Sequence, residues 1–122
     1  MAAYVVKEYL KDGLSPFGEW LKDIDSTAAS KITTAVYRLQ YGNFSNVESV
    51  GGGVFEYKID FGPGYRVYFG QDKNVLIILL TGGIKKSQSK DIEKAKMYWQ
   101  EYNYSKKQGG WLWPLPVILK TP

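Results

Sequence analysis

Val54–Phe69 reads VFEYKIDFGPGYRVYF. Side chains of a β-strand alternate between faces, and this stretch alternates on both sides of a Gly-Pro-Gly break. Phe55, Tyr57, Ile59 and Phe61 fall on one parity; Val54, Glu56, Lys58 and Asp60 fall on the other. After the break, Tyr65, Val67 and Phe69 alternate with Arg66 and Tyr68. The pattern predicts a β-hairpin with one apolar face and one face bearing chemistry. Pro63 fixes φ in the turn, and Gly62 and Gly64 are free to take positive φ. If the apolar faces coincide, one allowed register sets Lys58 opposite Arg66 and Glu56 opposite Tyr68. Two opposed cations weaken a sheet. A pairing that disfavours folding but suits an anion points to function.

Working outward, Asn46–Val50 is a short strand joined to the hairpin by Gly51-Gly52-Gly53. Asp72-Lys73-Asn74 turns the chain into Val75–Leu80, VLIILL, which is apolar throughout and reads as a central strand covered on both faces. The expected cover is helices on one face with the remaining strands beside it. Upstream, Tyr4–Leu10 reads as an edge strand. Ser15 and Pro16 suit the N-cap and first position of a helix bearing Phe17, Trp20, Leu21 and Ile24. Asp25-Ser26-Thr27 stops it and caps a second helix with Ala29, Ile32, Val36 and Leu39 as its stripe, while Lys31 and Arg38 point elsewhere. A helical hairpin follows from the short connection; one continuous helix is the alternative. Ile84–Gln88 leads into a third helix whose buried stripe is Ile92, Ala95, Trp99 and Tyr102. Its aromatics are read as core, not as a platform for stacking bases.

The totals bound the class. The chain has 122 residues, 44% of them hydrophobic, which suits one domain with one core. No apolar run approaches a membrane span, and the N-terminus lacks a signal-peptide pattern, so a cytoplasmic location is expected. With neither cysteine nor histidine, the chain lacks thiolate and imidazole ligands and the commonest general base. No metal and no cofactor is expected. Lys85–Lys107 carries seven lysines against Asp91, Glu93 and Glu101, so the net charge of +4 is concentrated there. That patch suits an anionic partner; a solvated lysine face is the alternative. The tail GGWLWPLPVILKTP has no period, and apolar segments of this kind mark interaction sites when exposed. The expected organisation is one domain over residues 1–104 and a tail of unassigned role over 105–122.

Three pieces, PFGEWLKDID, RLQYGNFSNVESVGGGVFEYKIDFGPGYRVYF and LLTGGIKKSQSKDIEKAK, together resemble the RelE/HigB-like toxins of type II toxin–antitoxin modules, in the branch of phage-derived addiction-module killer proteins. The likeness runs over about residues 15 to 100. It implies an α+β, RelE-like fold: a helical hairpin packed on a small twisted antiparallel sheet, with a further C-terminal helix. It implies cleavage of mRNA in the ribosomal A site, so the partners are mRNA, the ribosome and a cognate helix-turn-helix antitoxin that forms a hetero-oligomer with the toxin. Lys58 stands where many relatives are expected to carry arginine, which keeps charge but loses the guanidinium fork.

Metal-free RNA cleavage sends the ribose 2′-oxygen onto the adjacent phosphorus as the 5′-oxygen leaves. It needs a base, cations for the phosphate charge and an acid for the leaving oxygen. Without histidine, the base is Glu, Lys, Tyr or a ribosomal group. The expected catalytic set is Glu56, Lys58, Arg66 and Lys85. Glu56 is the base with Lys58 as its rival, Arg66 grips the phosphate, and Lys85 or Lys86 serves charge or the leaving oxygen. Tyr68, Lys86 and Lys90 are expected to bind RNA. Three other readings stand beside this one: a surface salt-bridge ladder with no chemistry, a ParE-like toxin that binds a protein such as gyrase, and a degenerate toxin that only binds its antitoxin.

Overall fold

A computed structural model describes residues 3–109 and 119–120. In chain order the elements are β1 (Val5–Tyr9), α1 (Pro16–Asp23), α2 (Ser26–Gln40), β2 (Val47–Gly51), β3 (Val54–Ile59), β4 (Tyr65–Asp72), β5 (Leu76–Ile84), a 3-10 turn (Lys85–Ser87), α3 (Gln88–Gly109) and β6 (Leu119–Lys120). The strands form one sheet in the order β2-β3-β4-β5-β1-β6. The α+β class and the helical hairpin packed on a sheet are as the sequence predicts. The sheet is mixed, however, because β1 runs parallel to β5. Among the described residues, the outer edge of β1 meets the two-residue β6, through Glu8 and Tyr9.

Local chemistry explains the helices. The Ser15 hydroxyl accepts from the Gly18 N–H at 2.8 Å, and Pro16 opens α1. The Asp25 carboxylate accepts from the Ala28 N–H at 2.9 Å and starts α2. These caps satisfy donors that a helix start leaves free. Only Ile24 and Asp25 separate the two helices, so the chain reverses as a hairpin, not one continuous helix. The buried positions of α2 are Ala28, Ile32, Ala35 and Leu39, a stripe rotated slightly from the expected one: Ala28 takes the place of Ala29, and Val36 is only half-buried.

Two cores sandwich the sheet. On one face, Phe17, Ile32 and Leu39 of the hairpin pack on Val6, Tyr57, Tyr65, Val67, Phe69, Ile77 and Leu79. On the other face, Ala95, Trp99 and Tyr102 of α3 pack on Tyr9, Val54, Tyr68, Ile78 and Leu80. The continuous apolar run of β5 thus feeds both cores, but helices cover both faces, where the sequence reading put them on one. Gly70 makes room for α3, because a β-carbon there would collide with the Trp99 ring. The third helix bears out its expected aromatic core.

A bulge divides β5. Tyr68 opposes Thr81 while Phe69 opposes Leu79, which leaves Leu80 as an extra residue. Beyond it, Gly82 lies against Trp20 of the hairpin and Gly83 against Asp91 of α3. Most of the tail, residues 110–118 and 121–122, lies outside the described residues, and with it the question of the tail's role.

Candidate functional site

The predicted hairpin register is the observed one. Lys58 is paired with Arg66, and Glu56 with Tyr68. The next strand on either side extends these rows: Glu48 stands beside Glu56 on β2, and Gly83 and Thr81 stand beside Arg66 and Tyr68 on β5. The turn from Phe61 to Gly64 closes with a 2.9 Å bond from the Gly64 N–H to the Phe61 carbonyl, and Gly64 takes φ of +79°. The Lys85 N–H then donates to the Gly64 carbonyl at 2.8 Å. That bond ties the start of the 3-10 turn to the hairpin, where a β-carbon on Gly64 would meet both Lys85 Cβ at 3.3 Å and Arg66 Nη1 at 3.5 Å.

The row nearer α3 is sealed. Glu56 is 2% exposed and Tyr68 fully buried. Gln88, the first residue of α3, donates from Nε2 to Glu56 Oε2 at 2.7 Å. Arg66 is 8% exposed, with its Nε 3.8 Å from the same carboxylate oxygen and its Nη1 donating to the Tyr65 carbonyl at 3.1 Å. Arg66 Nε and the Tyr68 hydroxyl are buried without a well-formed hydrogen bond. Burial, and then the adjoining Glu56 carboxylate, push the Tyr68 phenol well above its ordinary range, so Tyr68 is a donor and not a base. Asp91 is buried over Gly83 and accepts from the Ser87 hydroxyl at 2.5 Å.

The row nearer the turn is open at Lys58 and closed at Arg66. Lys58 keeps 41% of its side chain exposed and forms an ion pair with Glu48. The hydrogen bond from Lys58, followed by its charge, holds the Glu48 carboxyl below the usual carboxylate range. Lys85, Lys86 and Lys90 are exposed. The structure therefore brings Glu56, Lys58, Arg66 and Tyr68 onto one face, with Lys85 at its rim; Lys86 and Lys90 stand farther along the turn and the first turn of α3. The expectation of helices on one face only, with Glu56 as the one carboxylate of the catalytic set, is corrected in two respects. α3 covers Glu56, Tyr68 and Arg66, and Glu48 and Asp91 add two more carboxylates. Among the described residues no group of acidic side chains is placed to hold a metal ion.

Three contributors escaped the sequence reading. Glu48 follows from carrying the register one strand further. Asp91 had a signal in Gly83, since a glycine inside a strand marks a close approach. Gln88 had none, because its contact with Glu56 spans 32 positions and depends on how α3 docks.

Residues 19–101 match the model of the family described as phage-derived protein Gp49-like (DUF891). An uncharacterized protein of Haemophilus influenzae strain Rd is 48% identical over 86 residues, which cover 70% of this chain and 87% of that protein. The match takes in α2, the whole β2–β5 meander and α3 as far as Glu101, so every residue of the face just described lies within it. The chain belongs to the phage-derived Gp49-like family.

Proposed function

We propose that this chain is the toxin of a toxin–antitoxin module and that it works as a ribosome-dependent endoribonuclease of the RelE/HigB kind, silenced by a cognate antitoxin. The observation that carries this reading is the opposed pair of partly exposed Lys58 and buried Arg66, with Lys85 beside Arg66 at Gly64. A cross-strand pair of like charges is unfavourable for the sheet and favourable for a phosphodiester. Arg66 is held from behind by Glu56, and together with Lys85 it faces the charge that builds on the phosphate oxygens. Lys58, the most accessible cation of the row, is assigned the protonation of the leaving 5′-oxygen. Glu56 takes the 2′ proton once Gln88 releases its Oε2. Gln88 is thus a positioning residue that decides whether the carboxylate can act.

Primer extension on a translated message after induction tests the reading. Codon-phased cuts are expected from the wild type and none from Arg66→Ala. Arg66→Lys, which keeps the charge next to Glu56, separates lost chemistry from lost folding. One observation favours a second reading: Glu56 and Tyr68 are closed off from solvent. A ParE-like toxin that binds a protein target needs no reachable base. Growth arrest with intact message would establish that reading and end the first.

A further inference from the structure

A groove of about 370 Å³ lies between α2 and the end of β3, bounded by Lys31, Thr34, Arg38, Asn46, Lys58 and Asp60. We propose that this groove binds the phosphodiester backbone of a single RNA strand as it passes beyond the Lys58–Arg66 pair. The inference rests on the ribonuclease reading, whose phosphate-gripping pair it shares through Lys58.

The helix supplies one wall. Lys31, Thr34 and Arg38 stand at i, i+3 and i+7, so they line a single stripe. Seven residues of helix separate the two cations by about 10.5 Å along the axis. Ala28, Ile32 and Leu39 face the core from the adjoining side, so the cationic stripe is not needed to hold α2 to the sheet. β3 supplies the other wall. Its pairing with β2 ends at Tyr57 opposite Val47, with one further bond from the Lys58 N–H to the Asn46 carbonyl at 3.0 Å. The edge from Ile59 onward is left to the groove.

The charges favour an anion that runs lengthwise. Three cations face one carboxylate, Asp60. Only Lys58 has an acidic partner among the described residues. Lys31 rests its ammonium 5.2 Å from the centre of the Phe61 ring, and Arg38 is exposed with no ion pair among the described residues. The Thr34 hydroxyl donates to the Ser30 carbonyl at 3.1 Å, so the Lys31 ammonium, the Arg38 guanidinium and the Ser30 hydroxyl are the side-chain donors on this wall. A bound peptide would ask for an apolar anchor in a pocket, and here the accessible apolar lining is the half-buried Ile59 and the Phe61 ring that Lys31 caps, while the exposed lining is charged, hydroxyl or amide. A single strand asks for a basic track along its backbone, and this track begins at the very lysine that ends the candidate site.

The test uses a fluorescein-labelled 12-nucleotide 2′-O-methyl RNA, which cannot be cut because its attacking hydroxyl is blocked. Each phosphate contact on a single strand adds about 0.7 to the slope of log affinity against log salt. Lys31→Ala/Arg38→Ala is therefore expected to lower the slope by about 1.4, so that the wild type loses about sevenfold more affinity than the variant between 50 and 200 mM salt. Lys22→Ala, on α1, is expected to leave the slope unchanged. The inference is overturned if the wild type fails to bind the probe at 50 mM salt, if the double variant keeps the wild-type slope, or if Lys22→Ala lowers it equally, which would mean that only net charge counts. A double variant that binds RNA as before but loses its antitoxin would give the groove to a protein instead. Codon-phased cutting is scored separately, so a failure of the nuclease reading with the slope change intact is distinguishable from a failure of the groove.

Discussion

The sheet face beneath α3 has two ends built on different terms. At the Trp99 end, Val54, Ile78 and Leu80 are buried against an aromatic helix, and Gly70 clears space for the indole. At the Gln88 end, the same helix closes over Glu56, Arg66 and Tyr68, and two buried polar atoms are left without a well-formed bond. Burying polar groups without partners costs about 1–3 kcal/mol each. The apolar end stabilises the protein, and the polar end draws on that stability. Such an imbalance within one helix is what a site tolerates and a pure scaffold does not.

The comparison breaks most visibly at Trp99. Trp99→Ala removes the indole that spans Gly70 and Gly53 and is expected to destabilise the protein by about 3–5 kcal/mol, read as a lowered midpoint in urea unfolding. A loss under about 1 kcal/mol would mean that α3 is held by its polar end after all. Second in size is Arg66→Ala, which leaves Glu56 buried without its cation and is expected to cost about 3 kcal/mol. Adding Glu56→Gln to that variant should recover much of the loss in the same unfolding assay. No recovery would show that the two side chains are not coupled across their 3.8 Å separation.

A third test sits at the far end of α3. Asp72 is buried, which by itself raises its pKa, but hydrogen bonds from Lys106 at 2.6 Å and Tyr102 at 2.5 Å outweigh burial and hold the carboxyl below its ordinary range. A group whose folded pKa is depressed contributes its stability above the unfolded value, about 3.9 for aspartate, and loses it as pH falls through the folded one. Stability should therefore drop on acidification below about pH 4, and Asp72→Asn should flatten that drop while lowering stability at pH 7. An unchanged acid profile in Asp72→Asn would remove this carboxylate from the account. The effect is expected to be the smallest of the three, because Lys106 keeps a 35% exposed side chain and solvent screens the pair.

Much of the architecture was legible because it rests on short-range rules. Ser15 and Asp25 announce their helices through their own side chains, and the parity of Val54–Phe69 allows the register observed, with Lys58 opposite Arg66 and Glu56 opposite Tyr68. What escaped depends on long-range placement. Nothing local in Tyr4–Leu10 tells that it will run parallel to β5. The bulge at Leu80 exists only in relation to β4. The cover over Glu56 depends on the docking of a helix that starts 32 residues away. The candidate site was accordingly legible as a set of residues on one face, and illegible as an exposed or buried set.

Leu80, the extra residue in β5, changes the phase of everything downstream. Before it, odd positions such as Ile77 and Leu79 look toward the helical hairpin; after it, Gly82 does, and Gly83 looks toward α3. Deleting Leu80 would close the bulge and leave Thr81, Gly82 and Gly83 opposite Tyr68, Val67 and Arg66, so each glycine would stay against its helix while the Leu80 side chain is lost from the core beneath α3. The strand therefore holds one residue of slack at the bulge and no room for a side chain at the two glycines beyond it, where a β-carbon would meet Trp20 or Asp91.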